Sequence, residues 1–332
     1  MALIPFRPIG ANNVDPPESV GRPDPNSRSL TYTEGTEMVN VDMYEQGGGR
    51  RRRGVVLDMA GIDPHSGWSN GAMAFFIEGG ALKRFWPGAG GEILALLSTD
   101  NHGAFCQVND ITVFSNGEDF HVIEAGRVAT PFMPSDPFKT RMSPGTCLEF
   151  YNGRLYAALG RVLYNSDSLD TPGGVEQMDE RQNITAVFAS EIRMVKRVAG
   201  GLFVSDGQET FFFAGKDPVL DEGFEQRSVL PYPAIPGATA IAITASQLGS
   251  TDVQGEACIW TSERGVCIGL PGGTVINVSD GRFATPAGRH GTAIVREQNG
   301  QVHYLCVIRD PRSGYNPHDN RSLFVSSHPI AE

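Results

Sequence analysis

Cysteine is scarce in this sequence, and long apolar runs are missing from it. Five cysteines occur among 332 residues, none in a C-x-x-C pair, so the sequence predicts neither a disulfide framework nor a zinc knuckle. Four of the five stand beside apolar residues in predicted strands, so we expect reduced core thiols. No run of about 18 consecutive apolar residues is present, and residues 1–10 lack a signal-peptide pattern. We therefore expect a protein without a membrane segment that is made in a cytoplasm.

Positive charge is also in short supply. The chain has 27 Lys and Arg against 38 Asp and Glu, a formal net charge of −11. A surface that binds nucleic acid throughout needs a positive footprint over the phosphates, so the composition excludes that class of protein. Any contact with DNA is expected to be local.

The common catalytic motifs are absent as well. The sequence has no phosphate-binding loop, zinc-hydrolase helix, nucleophile elbow or dinucleotide fingerprint. Its seven histidines never fall at metal-ligand spacing. We therefore expect no enzyme activity, no cofactor and no metal site.

An enzyme acting on glycans stays open as an alternative, because two carboxylates about 5 to 9.5 Å apart can suffice for glycoside hydrolysis. The nominal candidates are Asp206, Glu209 and Glu263. The stretch from Ser205 to Phe211 is faintly similar to the Asp-box turn of sialidases, but a plain hairpin turn is the preferred interpretation.

Turn-forming residues are abundant, with 40 Gly and 22 Pro. Residues 1–54 hold six prolines and few apolar residues beyond the first ten, so they can bury little surface and are predicted to form an extended N-terminal arm. A short strand is predicted at Met38–Tyr44. Three glycines follow, and then the basic run Arg50, Arg51, Arg52 and Arg53.

The basic run is the candidate binding site of the sequence. Arginine offers planar, bidentate donors, so Arg50, Arg51, Arg52 and Arg53 could bind phosphate or an acidic neighbouring subunit. The alternative is a solvated joint that keeps the arm soluble.

From residue 55 to 332 the pattern changes to short apolar or alternating runs separated by turn pairs, with almost no helical period. In the clearest segment, strands are predicted at Cys147–Tyr151, Arg154–Leu159 and Val162–Asn165. Five turn pairs lie about 46 residues apart on average, which suits the four-stranded repeat of a β-propeller. The body is therefore predicted to be an all-β propeller of about six blades, with five or seven also possible. Short helices are expected only near residues 91–97 and 175–189.

Several segments carry a family resemblance. The strings NGRLYAALGRVLYNSD (residues 152–167), GGLFVSDGQETFFFAGKDP (residues 200–218) and WTSERGVCIGLPGGTVINVSDGRFATP (residues 260–286) resemble virion proteins of tailed bacteriophages with a propeller body. The early VNVDMYE (residues 39–45), followed by the arginine run, is similar to the opening of packaged-DNA stabilisation proteins, the tail hub or nozzle of short-tailed phages. The resemblance covers residues 38–310.

The resemblance implies a structural protein of the virion neck or tail, made in the host bacterial cytoplasm. It would form a ring of six copies beside adaptor, portal or other tail proteins, and would retain and conduct double-stranded DNA without covalent chemistry. A negative lumen would suit this role, because like charge keeps a passing duplex from adhering to the wall. A receptor-binding or fibre module is a further alternative, in which exposed aromatics such as Tyr315 would contact host sugar.

Overall fold

The structure is a computed structural model that describes residues 41–43, 49–51, 64–86, 90–219, 223–248, 253–280, 290–298 and 301–309. Six small sheets are arranged as a six-bladed β-propeller, which confirms the predicted all-β class and blade number. The predicted domain boundary at residue 55 lies outside the described residues. In the described part of the arm, β1 (Val41–Met43) pairs antiparallel with β2 (Gly49–Arg51).

The first three blades are four-stranded antiparallel sheets. Blade 1 holds β3 (His65–Ser69), β4 (Ala74–Glu78), β5 (Ala81–Trp86) and β6 (Gly90–Leu96). Blade 2 holds β7 (Ala104–Val108), β8 (Ile111–Ser115), β9 (Phe120–Glu124) and β10 (Arg127–Val128). Blade 3 holds β12 (Cys147–Tyr151), β13 (Arg154–Leu159), β14 (Val162–Asn165) and β16 (Ile184–Val187). Two further strands form a separate pair, β11 (Lys139–Arg141) and β15 (Gln177–Asp179).

Blades 4 and 5 repeat this plan. Blade 4 holds β17 (Met194–Val198), β18 (Gly201–Ser205), β19 (Thr210–Ala214) and β20 (Glu225–Leu230). After β21 (Gly237–Ala238), blade 5 holds β22 (Ile241–Ile243), β23 (Ala257–Ser262), β24 (Gly265–Gly269) and β25 (Val275–Asn277). Blade 6 holds β26 (His290–Gln298) and β27 (Gln301–Arg309), with β21 parallel to β26. The described helices are α1 (Ala245–Leu248) and two 3₁₀ turns, Gly174–Glu176 and Pro271–Gly273.

Within each blade, the strands are ordered from the propeller centre to its rim. Successive blades touch through their first strands, β7 with β12, β12 with β17 and β17 with β22, so these strands form the inner edge. The fourth strands, including β6 and β16, therefore form the rim. The middle strands are packed between blades on both faces, which explains why β18 and β23 are buried along their whole length.

The core is divided among the interfaces between blades. Five apolar clusters join blades 1 and 2, 2 and 3, 3 and 4, 4 and 5, and 5 and 6. All five cysteines are free thiols, and four are fully buried within these strands, which agrees with the sequence prediction.

The predicted meander is confirmed in its strand bounds and in its turn. β12, β13 and β14 begin and end at the predicted residues. Asn152 and Gly153 have φ values of 46° and 85°, the two positive angles that a tight hairpin between right-twisted strands requires.

The two helix predictions are wrong. Residues 91–96 fall on β6, the rim strand of blade 1, and residue 97 directly follows it. Residues 175–189 contain the end of a 3₁₀ turn, then β15 and β16. Both segments hold exposed apolar residues three apart, Ile93 with Leu96 and Ile184 with Val187.

Candidate functional sites

The arginine run is only partly described. Arg50 and Arg51 lie on β2, where Arg50 stands opposite Asp42 and Arg51 opposite Val41. Arg52 and Arg53 lie outside the described residues.

The carboxylate of Asp206 closes a hairpin turn. Its Oδ1 accepts hydrogen bonds from the backbone N–H groups of Gln208 at 2.8 Å and Glu209 at 3.0 Å, and its Oδ2 accepts one from Ser190 N–H at 3.3 Å. The preceding Ser205 hydroxyl donates to the carbonyl of Glu209 at 3.0 Å. The carboxylate is therefore occupied by the turn itself.

The same turn occurs twice more with asparagine in place of the aspartate. Asn70 accepts hydrogen bonds from Ala72 and Met73 N–H, and Asn116 accepts them from Glu118 and Asp119 N–H. A serine precedes each asparagine, and its hydroxyl donates to the carbonyl four residues on. Since a neutral amide oxygen fills the same position, the turn does not require the charge of Asp206.

The other two candidate acids also have partners of their own. Glu209 Oε2 accepts a hydrogen bond from the Ser228 hydroxyl on the neighbouring strand at 2.5 Å. Glu263 Oε1 pairs with Arg193 Nη1 at 3.0 Å. Each of the three carboxylates thus engages a different side chain or turn.

A network of four charged side chains crosses the inner edge of blades 3 to 5. Glu149 on β12 is almost fully buried and accepts a hydrogen bond from Lys196 Nζ on β17 at 2.7 Å. Arg197 Nε lies 2.8 Å from Glu256 Oε2, and its Nη1 donates to the carbonyl of Phe150 at 3.1 Å. The network holds two negative and two positive charges, so it joins three blades without a net charge.

Lys196 shows how strongly this network is coupled. Burial alone would lower the pKa of Lys196, but the adjacent Glu149 carboxylate outweighs that effect and holds the pKa above its ordinary value. The lysine is therefore a permanent cation that depends on Glu149 for its counter-charge.

The rim strand of blade 1 exposes two large apolar side chains. Ile93 is 58% exposed and Leu96 is 78% exposed. On the neighbouring strand β5, Lys83 stands opposite Ile93 and Ala81 opposite Leu96, because Leu94 is an extra residue in β6. Residues three apart in a regular strand lie on opposite faces, but this bulge brings Ile93 and Leu96 to the same face.

The rim strand of blade 3 contains the same kind of bulge. Ile184 is 54% and Val187 59% exposed. They stand opposite Tyr164 and Val162 on β14, with Thr185 as the extra residue. The Thr185 hydroxyl is turned inward, where it donates to Asn165 Oδ1 at 3.0 Å.

The rim strand of blade 4 carries a polar residue at the corresponding position. Its rim strand β20 has a register shift at the same place, and the residue equivalent to Ile93 and Ile184 is Ser228, opposite Phe211. The bulge is therefore a repeated feature of the rim, whereas the exposed apolar pairs distinguish blades 1 and 3. The sequence prediction missed both pairs, because each pair lies in a segment that was expected to be helical.

Three histidines that are distant in sequence come together between blades 1 and 6. They are His65, His102 and His290, with His102 in the middle. Within the described ranges, no group of three or more His, Cys, Asp and Glu residues is placed to hold a metal ion. The helices of the described part include none that is long and apolar enough to cross a membrane.

No protein-family model and no curated protein matches this sequence. Among solved structures, the WD40 β-propeller domain of Doa1 has a TM-score of 0.47 and 9% identity, covering 76% of this chain and 81% of that one. The N-terminal domain of Nup159 has a TM-score of 0.46 and 10% identity, covering 75% and 74% of the two chains.

The extracellular domain of the putative one-component system BT4673 from B. thetaiotaomicron has a TM-score of 0.48 and 10% identity over 78% of this chain. This chain spans about a third of the length of that protein, 34%. Similarity at this level concerns the fold alone.

Proposed function

We propose that this protein is a structural component of a tailed-phage virion that forms a closed ring at the head-to-tail junction or in the tail tube. The ring would hold the packaged genome and conduct it at ejection, with neighbouring adaptor, portal or tail proteins on either side. The phage context rests on the resemblance of residues 38–310 to tail hub and nozzle proteins. The ring rests on the two apolar faces of the rim.

The observation that supports a ring most directly is the pair of different exposed faces. The first-blade face consists of Ile93 and Leu96, and the third-blade face consists of Ile184 and Val187. A closed ring of one kind of subunit needs a heterologous interface, in which one patch binds a different patch on the next copy. Two separate apolar faces on one chain meet that requirement.

The positions of the two faces also agree with six copies. Blades 1 and 3 are two steps apart in a six-bladed propeller, which separates their rims by roughly 120°. In a ring of six, the two neighbours of each subunit lie about 120° apart when viewed from its centre. The rim strands that carry the two faces would therefore lie beside both neighbours when the propeller axis runs parallel to the ring axis.

The net charge is consistent with a DNA conduit. A formal charge of −11 disfavours adhesion of the passing duplex to the protein. The three candidate acids support this function over a glycan-active enzyme, because Asp206, Glu209 and Glu263 are each engaged elsewhere. Tyr315, the aromatic named for a receptor-binding module, lies outside the described residues.

The experiment that tests the ring uses two complementary variants. Ile93→Lys with Leu96→Lys blocks the first-blade face, and Ile184→Lys with Val187→Lys blocks the third-blade face. Each variant alone is expected to remain monomeric by native mass spectrometry, since a buried lysine would lack a partner. An equimolar mixture is expected to form a dimer, because one intact pair of faces remains.

Gln226→Lys is the matched control, since Gln226 lies on the rim strand of blade 4 and is exposed. It is expected to assemble as the wild type does. Unchanged assembly of both double variants would contradict the assigned faces. Failure of the mixture to pair would contradict the heterologous arrangement.

A further inference from the structure

Blade 2 lies between the two apolar faces of the rim. The first-blade face, Ile93 and Leu96, is on β6, and the third-blade face, Ile184 and Val187, is on β16. The rim strand of blade 2, β10, contacts β6 directly. Since the blades follow one another around the propeller, the short path from one face to the other crosses the rim of blade 2. The long path crosses blades 4, 5 and 6.

This order decides which side of the subunit is directed to the centre of a ring. In a ring of six, the two neighbours of a subunit lie about 120° apart, and the ring axis lies on the bisector of that angle. The rims of blades 1 and 3 are separated by roughly the same angle, with blade 2 on the bisector. When those two rims lie beside the neighbours, the rim of blade 2 is directed to the ring axis and that of blade 5 to the outside.

The opening at the centre of such a ring has room for DNA. Six equal discs in contact around a ring leave a central hole as wide as one disc. Neighbouring strands lie about 4.8 Å apart, so two opposite blades of four strands together span roughly 30 Å. The ring opening is therefore wider than a double helix.

The surface of blade 2 differs in character from the two apolar faces. Its exposed charged side chains are Asp110, Glu118, Glu124 and Arg127. The exposed large apolar residues of the described chain include none between residues 104 and 128. The rim of blade 2 is therefore a polar surface between two apolar ones.

Blade 2 carries a negative charge at neutral pH. Residues 104–128 hold four carboxylates and one arginine, a net charge of −3. Burial would raise the pKa of Asp119, but hydrogen bonds from Ser98 outweigh that effect and lower it. Burial lowers the pKa of His121, so this imidazole adds no positive charge.

Blade 5, on the opposite side of the propeller, has its acids neutralised. Glu256 pairs with Arg197, and Glu263 pairs with Arg193. Among the ion pairs of the described ranges, by contrast, none involves a carboxylate of blade 2. The uncompensated negative charge therefore lies on the side of the subunit that is directed to the ring axis.

We propose that the rim of blade 2 forms the wall of the ring opening and is the surface past which double-stranded DNA moves. Its carboxylates repel the phosphates of the duplex, so the DNA slides without adhering to the wall. This inference rests on the proposed ring and adds the orientation of each subunit within it.

Labelled cysteines locate the two blades in the ring. Ala125→Cys carries the label in the turn between β9 and β10 of blade 2, and Thr274→Cys, just before β25 of blade 5, is the matched control. Both residues are exposed. The native thiols give little background, because four of the five are buried. With a gold-cluster maleimide, particle imaging is expected to show the Ala125→Cys label inside the ring opening and the Thr274→Cys label on the outer wall.

The outcomes of this experiment separate the orientation from the proposed function. A closed ring with the Ala125→Cys label on its outer wall would overturn the orientation alone. Loss of the ring on labelling at that position but not at Thr274→Cys would also overturn it, since blade 2 would then lie at a subunit contact. Absence of a ring in the unlabelled wild type would overturn the proposed function and this inference together.

A charge substitution tests the contact with DNA. Ala125→Lys would place six lysines around one duplex, whereas Gln226→Lys, on the exposed rim strand of blade 4, would place them on the outside of the ring. Rings of Ala125→Lys are expected to bind a linear duplex at least about tenfold more tightly at low salt, by fluorescence anisotropy, because several phosphates are neutralised at once.

A covalently closed circle of the same DNA is the control substrate, since it cannot enter a closed ring. The gain in affinity is expected with the linear duplex only. Equal binding of the linear duplex by the two lysine variants would overturn the proposal. The same gain with the circle would overturn it as well, because the lysines would then be reached from outside the ring.

Discussion

Individual residues at the inner edge depend on one another for charge balance, and Glu149 is the clearest case. Its carboxylate pairs with Lys196 and lies near Arg197. Glu149→Gln would leave Lys196 largely buried without its counter-charge, which is expected to cost about 3 kcal/mol of unfolding free energy. Urea denaturation measures this cost. Glu256→Gln is the control and is expected to cost less, because Glu256 is a third exposed.

The turn at Asp206 distinguishes a structural role from a catalytic one. Asp206→Asn is expected to change the unfolding free energy by less than about 0.5 kcal/mol, because asparagine occupies the equivalent position in two other turns. Asp206→Ala is expected to cost about 1 to 2 kcal/mol, since the backbone N–H groups of Ser190, Gln208 and Glu209 lose their acceptor. Equal costs for both variants by urea denaturation would contradict this account.

The cysteines offer a pH-dependent test. Burial raises the pKa of Cys106 and of Cys147 to about 12. An ordinary thiol forms its reactive thiolate increasingly between pH 7 and 9, whereas these two stay protonated through that interval. Labelling of the native protein with an aromatic disulfide reagent is therefore expected to be slow from pH 7 to 9, and its rate is expected to keep rising by about tenfold per pH unit without the plateau that a thiol of ordinary pKa reaches near pH 9. Rapid labelling of either residue in the folded state would contradict their burial.

At the scale of single elements, the rim bulges explain what could and could not be predicted from the sequence. The strands of the meander were predictable because Asn152 and Gly153 mark the turn and the flanking residues alternate regularly. In β6 and β16, one extra residue places Ile93 with Leu96, and Ile184 with Val187, on the same face. Apolar residues three apart then imitate a helical period, although both segments are strands.

The role of the arginine run, which begins on β2, can be tested by replacing its four residues together. Replacement of Arg50, Arg51, Arg52 and Arg53 by alanine is expected to weaken assembly while the body stays folded, if the run supplies positive charge to an intersubunit contact as proposed. Analytical ultracentrifugation reports assembly and circular dichroism reports folding. Arg127→Ala on the exposed edge of blade 2 is a control for the loss of a positive charge. Normal assembly of the four-alanine variant would contradict a role of the run in assembly and favour the solvated joint.

At the scale of the whole molecule, the blade number followed from the spacing of turn pairs, because each blade repeats one four-stranded unit. The contacts between distant segments could not be predicted in that way. His65, His102 and His290 are brought together only when the first and last blades meet, and the local sequence around each histidine carries no sign of the others. The same is true of Glu149 and Lys196, which lie on neighbouring inner strands.

The proposed virion function depends on assembly of the chain into a ring through the first-blade face and the third-blade face. The most direct measurement is the mass and symmetry of the wild-type protein, by native mass spectrometry and particle imaging, alone and with the adjoining virion proteins. We expect a closed ring with the mass of six copies. A protein that stays monomeric under both conditions, or that forms a trimer, would contradict the proposed function.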